Sequence, residues 1–127
     1  MNSKSLLTET TLHLAHITQP IIVTGLIDSG CSARAFADHD TIAKYNIETF
    51  PLPRPQILLL TDGKPTDAIT KYFVAPTAMG THQELCLFFV TSLSKNTPLI
   101  FGLLWLQRHN PLVDWTRMTI AFASPYC

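Results

Sequence analysis

Charge is scarce in this chain. Charged residues make up 14% of its 127 positions, against about 25% in an ordinary soluble domain. Lys and Arg balance Asp and Glu, so the formal net charge is zero, and no basic run is present. That excludes nucleic-acid binding as a main role, because phosphate affinity rests on clustered positive charge. Long apolar runs are missing too. The most apolar stretch, residues 99–106, is far short of the roughly 18 residues a membrane-spanning helix needs. Residues 1–11 lack a basic start followed by an apolar stretch, so no secretory signal is expected there. The cysteines, Cys31, Cys86 and Cys127, are far apart and odd in number. This argues against a disulfide framework and suits a reducing, intracellular compartment. Metal-ligand spacing is also lacking. His13 and His16 are three apart, which puts them on opposite faces of a strand, and His39, His82 and His109 are scattered. Neither a metal nor a cofactor is expected.

What the chain does have is apolar residues, at 46%. Its length suits one domain, and a surface so poor in charge suits burial against a second copy. Short apolar segments punctuated by Pro and Gly read as strands. We expect a flexible extension over residues 1–10 and one domain over residues 11–127. Strands are expected at 11–17, 21–27, 56–61, 68–75, 84–91 and 99–101, with paired strands at 112–115 and 118–122. Pro51, Pro53 and Pro55 mark residues 50–55 as an extended connector. Asp38-His39-Asp40 could cap a short helix running toward Tyr45, and residues 103–108 read as a second short helix before Asn110-Pro111. Asp62-Gly63 and Met79-Gly80-Thr81 are turn signals. Many short strands point to an all-β barrel or sandwich.

One segment carries chemistry. In Leu26-Ile27-Asp28-Ser29-Gly30 a carboxylate follows a buried strand and precedes a small hydroxyl residue and a glycine. The strand fixes the carboxylate, Ser29 can hydrogen-bond locally, and Gly30 lets the backbone turn sharply. Two such carboxylates about 3 Å apart cannot both ionise, so they share one proton. The ionised member then activates water, and the protonated one polarises a carbonyl. Asp114 also follows apolar residues, but Trp115 stands where the hydroxyl residue would be, so it reads as structural.

The chain resembles the retropepsin family of aspartic proteases, in particular those of gypsy-type retrotransposons, over residues 21–127. Leu26-Ile27-Asp28-Ser29-Gly30 looks like the apolar-apolar-Asp-Thr/Ser-Gly signature, and Ile100-Phe101-Gly102 like the second, apolar-apolar-Gly signature. Gly102-Leu103-Leu104-Trp105-Leu106, with His109-Asn110-Pro111 and Val113-Asp114-Trp115, is similar to the helix and terminal segment of such proteases. The resemblance implies a mostly β fold: a closed β-barrel half-enzyme with one short C-terminal helix. It implies catalysis by Asp28 with Ser29 and Gly30, supported from beneath by Ile100, Phe101 and Gly102. It also implies a substrate-covering flap with its tip near Asp62, Gly63 and Lys64. Only one signature Asp is present, so the second carboxylate must come from Asp28 of a second copy across a two-fold axis. The implied partners are this homodimer mate and an extended peptide, such as the element's own polyprotein inside cells or virus-like particles. The ends of the chain, around residues 11–16 and 118–122, are expected to pair as interface strands. A protease-fold remnant that only dimerises or binds peptide is the alternative. Departures from the family are Ser29 for the commoner Thr, Cys31 where Ala is common, Arg34 in a small or apolar region, and Gly25 where a larger residue such as Ala is usual.

Overall fold

The computed structural model describes residues 6–14, 18–28, 35–58, 65–93, 96–109, 112–114, 116–117 and 119–121. In chain order the elements are β1 (Leu6–Leu12), β2 (Ile21–Ile27), β3 (Ala35–Asp38), α1 (His39–Lys44), β4 (Phe50–Gln56) and β5 (Ile69–Met79). They continue with β6 (His82–Thr91), β7 (Leu99–Phe101), α2 (Leu103–His109), β8 (Leu112–Asp114) and β9 (Thr119–Ala121).

Six strands close a barrel in the order β1-β2-β7-β3-β6-β5, with β5 pairing back onto β1. Closure removes the unpaired edges that would otherwise invite aggregation. Strand β5 serves two neighbours on different stretches of its length. Its first half pairs with β4, through Phe50↔Tyr72 and Gln56↔Ile69. Its second half meets β1, through Thr11↔Ala78 and Leu12↔Thr77. Strands β8 and β9 pair separately as a small antiparallel ribbon.

Alternation along each strand fills the barrel. Phe73, Ala75 and Met79 of β5 point inward, as do Cys86, Phe88 and Val90 of β6. Phe73 and Phe88 face each other in register and stack with ring centroids 5.0 Å apart. Leu99 and Phe101 of β7 and Ala35 and Ala37 of β3 complete the interior. The β5–β6 turn has Gly80 at φ +57, with no positive φ at Thr81. This is the sign pattern of a type II′ hairpin turn, which needs glycine at its first loop residue.

Three expectations need correction. The first strand begins at Leu6, so residues 6–10 belong to the barrel wall and are not a loose extension. Their backbone groups are matched residue by residue with β2, from Leu6↔Ile27 to Leu12↔Ile21, and Leu6, Thr10 and Leu12 are buried. The polar Thr8 and Thr10 on the inward side and the exposed Leu7 on the outer side disguise this alternation in the sequence. Residues 11–13 are likewise unavailable as an interface strand, since Thr11 and Leu12 pair with β5 and the His13 N–H donates to the Pro76 carbonyl at 2.9 Å. Finally, the proline-rich segment is itself a strand, and residues 57–58 lie beyond its end. Pro51, Pro53 and Pro55 are exposed, and among the described residues β4 pairs only with β5. An outer strand tolerates prolines because one side of its backbone needs no ladder partner.

There are two short helices among the described residues, α1 where Asp38-His39-Asp40 signals a start and α2 at the C-terminal helix that the resemblance implies. Helix α1 starts where Asp38 caps it, accepting from the Asp40 N–H at 3.2 Å. It ends with Asn46 at φ 52, the Asn46 N–H bonded to the Ala43 carbonyl and the Ile47 N–H to the Ile42 carbonyl. This is a Schellman stop with asparagine in place of glycine. The other carboxylate oxygen of Asp38 accepts from the Leu93 N–H at 2.8 Å, so one side chain ties α1 to the segment after β6.

Candidate active site

Asp28 follows directly on β2, at the point where the strand leaves the sheet. β2 runs parallel to β7 in the register Gly25↔Leu99, Leu26↔Ile100, Ile27↔Phe101. That ladder continues one step further, the Asp28 N–H donating to the Phe101 carbonyl at 2.9 Å. The backbone of Asp28 is thus held by the strand that bears the second apolar-apolar-Gly sequence. Ile100, Phe101 and Gly102 are all buried, and Asp28 is half-buried. β7 lies between β2 and β3, whose pairing with it is antiparallel, so its position is fixed from both sides.

Gly25 has a local reason. A Cβ built there would lie 2.6 Å from Cε2 of Phe101 and 3.0 Å from Oγ1 of Thr10. The Phe101 ring is fully buried and packs on Phe88 and Trp105, so it has no room to retreat. The room of the missing side chain is taken by a phenylalanine.

The hairpin expected to cover the site is present at its base. Residues 56–58 run beside 66–69: Gln56 pairs with Ile69, the Thr66 N–H donates to the Leu58 carbonyl at 2.7 Å, and the Leu58 N–H donates to the Thr66 hydroxyl at 3.1 Å. A small apolar cluster joins this base to the strands of the site. Phe36, Ile69 and Ile100 are its buried members, with Leu26 and Leu58 packed against them. Leu26 and Ile100 flank the backbone that leads to Asp28, so this cluster sets the hairpin relative to the carboxylate. Ser29, Gly30, Asp62, Gly63 and Lys64 lie outside the described residues, as do Cys31 and Arg34.

A second group of polar side chains escaped the sequence reading. His82 and Glu84 share one face of β6, and Trp105 and His109 stand one helical turn apart on α2. The structure brings the four together. Trp105 Nε1 donates to Glu84 Oε2 at 2.9 Å, and the Nε2 atoms of His82 and His109 lie 2.6 and 2.9 Å from the same oxygen. Burial lowers the pKa of His109 below the ordinary imidazole value, while the neighbouring Glu84 carboxylate pulls the other way. The spacing of 25 positions between Glu84 and His109 carries no local signal, so only the fold reveals the group.

Comparison with known proteins agrees with this architecture. The solved retroviral protease-like domain of Ddi1 from Leishmania major has a similar fold, with a TM-score of 0.57 over 96% of both chains at 15% identity. The family described as the PEG10/RTL1 protease domain matches residues 24–127, from within β2 through Asp28 to the end of the chain. The chain therefore belongs to the PEG10/RTL1 protease domain family and is a protease domain of the retropepsin type.

Proposed function

We propose that this chain is an aspartic endopeptidase active as a homodimer, hydrolysing peptide bonds with water activated between two Asp28 carboxylates. The observation that carries this reading is the placement of Asp28. It follows directly on β2, its backbone is fastened to the Phe101 carbonyl, and the base of a hairpin packs on the apolar cluster that includes Leu26 and Ile100. The sequence holds a single signature Asp, and a second copy related by two-fold symmetry supplies the other carboxylate. Ser29 and Gly30 would face their symmetry mates at the same axis.

Each residue has a distinct task in this scheme. One Asp28, ionised, takes a proton from the attacking water. Its mate, protonated, donates to the scissile carbonyl oxygen as charge develops there. No covalent intermediate forms. Ile100, Phe101 and Gly102 act as positioning residues from below. The hairpin, with Asp62, Gly63 and Lys64 near its tip, closes over an extended peptide and excludes water. Ile57, 65% exposed on the hairpin base, offers an apolar surface to that peptide or to the second copy. The substrate class we favour is the polyprotein of a gypsy-type element, cut inside the cell.

The test is cleavage of a denatured protein pool from about pH 4 to 7, with parent and Asp28→Asn chains side by side. Cleavage by the parent alone, blocked by a statine-type transition-state mimic, with a bell-shaped pH profile, is the expected result. A folded, dimeric parent that cuts nothing over that range would instead leave a peptide-binding or dimerisation module.

A further inference from the structure

One carboxylate oxygen of Glu84 lies within 2.9 Å of Trp105 Nε1, His82 Nε2 and His109 Nε2, and only the first two hydrogen-bond to it. We propose that His82, Glu84 and His109 form a binding site for one Zn2+ ion, a site separate from Asp28. Their ligand atoms all lie within 4.8 Å of one another. Both histidines are buried and Glu84 is nearly so, with side-chain exposures of 0%, 3% and 17%. Two imidazole nitrogens and one carboxylate oxygen make the three-ligand set of open zinc sites, with the fourth position left for water. Softness points the same way, since nitrogen-rich sites favour zinc and its first-row neighbours over calcium or magnesium.

The geometry is close to what an ion needs. Bonds of about 2.0–2.2 Å in a tetrahedron hold ligand atoms roughly 3.3 Å apart. Here the nitrogens stand 2.6 and 2.9 Å from Glu84 Oε2 and within 4.8 Å of each other, so each must draw back from that oxygen by roughly 0.4–0.7 Å to admit the metal. The scaffold limits larger movement. His82 and Glu84 belong to the long β5–β6 ladder, where His82 pairs with Met79 and Glu84 with Thr77. Trp105 is buried, and its indole N–H holds the Glu84 carboxylate in the manner of the outer partners that orient metal-binding carboxylates. The His82 and His109 rings sit edge to face at 4.7 Å. A cavity of about 180 Å³ opens beside Glu84 and His109, lined also by Leu85, Cys86, Leu87, Trp105 and Arg108. Arg108 is exposed, so water and salt screen the repulsion between its charge and the cation.

Once bound, the ion would tie two elements of the chain together. It would clamp the end of α2 to β6, and through the ring contact of Trp105 with Phe101 at 4.9 Å it would stiffen the strand beneath Asp28. The inference does not rest on the protease reading, and its test needs no cleavage assay. Zn2+ is titrated into the metal-free full chain under reducing conditions, in the parent, Glu84→Gln and His109→Gln, with binding read by calorimetry and melting temperature. The expected result is one ion per chain, with a melting temperature raised by roughly 10 °C when free Zn2+ stands about 100-fold above Kd. Both substitutions should weaken binding by about 100-fold or more. No binding by the parent at about 100 µM free Zn2+, or binding unchanged in folded variants, would overturn the proposal. Where a variant does not fold, the parent with Co2+ decides alone. Intense visible bands of a tetrahedral nitrogen and oxygen site support it, and a thiolate charge-transfer band would place the ion on cysteine and overturn it.

Discussion

Asp28 and Glu84 are both carboxylates carried by barrel strands, and the fold treats them in opposite ways. Asp28 stands at a strand end, half-buried, with its backbone fastened to β7. Glu84 stands inside a long ladder with an indole and two imidazoles closed around it. The first arrangement leaves a half-buried carboxylate where a strand leaves the sheet. The second uses a carboxylate to hold two elements of the same chain together. Phe101 belongs to both, since its carbonyl receives the Asp28 N–H and its ring packs on Trp105. A residue type does not reveal which of these uses it serves; what surrounds it does.

Substitutions can separate the two uses. The largest effect is expected on activity at the first carboxylate. Asp28→Asn should lower peptide cleavage by about 10³-fold or more, the scale of a lost general base, with little change in melting temperature. A large loss of stability in that variant would show that Asp28 is structural after all. The second region should respond in the reverse sense. Trp105→Ala removes a fully buried indole and the donor that holds Glu84, and should cost about 3–5 kcal/mol. Urea unfolding measures it, and a cost under about 1 kcal/mol would mean that α2 does not depend on this anchor.

The shared residue tests the link between the regions. Gly25→Ala forces a methyl group against the Phe101 ring and should destabilise by about 1–3 kcal/mol. Adding Phe101→Leu should return part of that loss, since the clash is with the ring. Purely additive losses in the double variant would break this reading of Gly25. The smallest effect sets the scale for a carboxylate with no role at either site. Asp38→Ala removes the cap of α1 and the partner of the Leu93 N–H, and should cost about 1–2 kcal/mol. Amide exchange at Leu93 should quicken in step, and unchanged protection there would contradict the bond.

Legibility followed the range of the interactions. Asp28 was readable because its signature is contiguous: an apolar strand, the carboxylate, then Ser29 and Gly30. The second signature at Ile100-Phe101-Gly102 was readable for the same reason, and β2 and β7 indeed lie side by side. The cap of α1 and the Gly80 turn were local as well. The start of β1 was missed because Leu7, Thr8 and Thr10 break its alternation, and only pairing with β2 supplies the partners that make it a strand. The strand over Pro51, Pro53 and Pro55 was missed because proline opposes a central strand, and nothing in the sequence says that this one lies on an outer edge.

By itself the sequence determined the mostly β character, the approximate place of strands such as β5 and β6, and the position of the one signature carboxylate. Each of these is set by side chains within a few residues of one another. The tertiary structure alone decided the closure of β5 onto β1, the exchange of Gly25 volume for the Phe101 ring, and the meeting of His82, Glu84, Trp105 and His109. These depend on which strands become neighbours, and that is settled by burial and backbone pairing summed over the whole barrel.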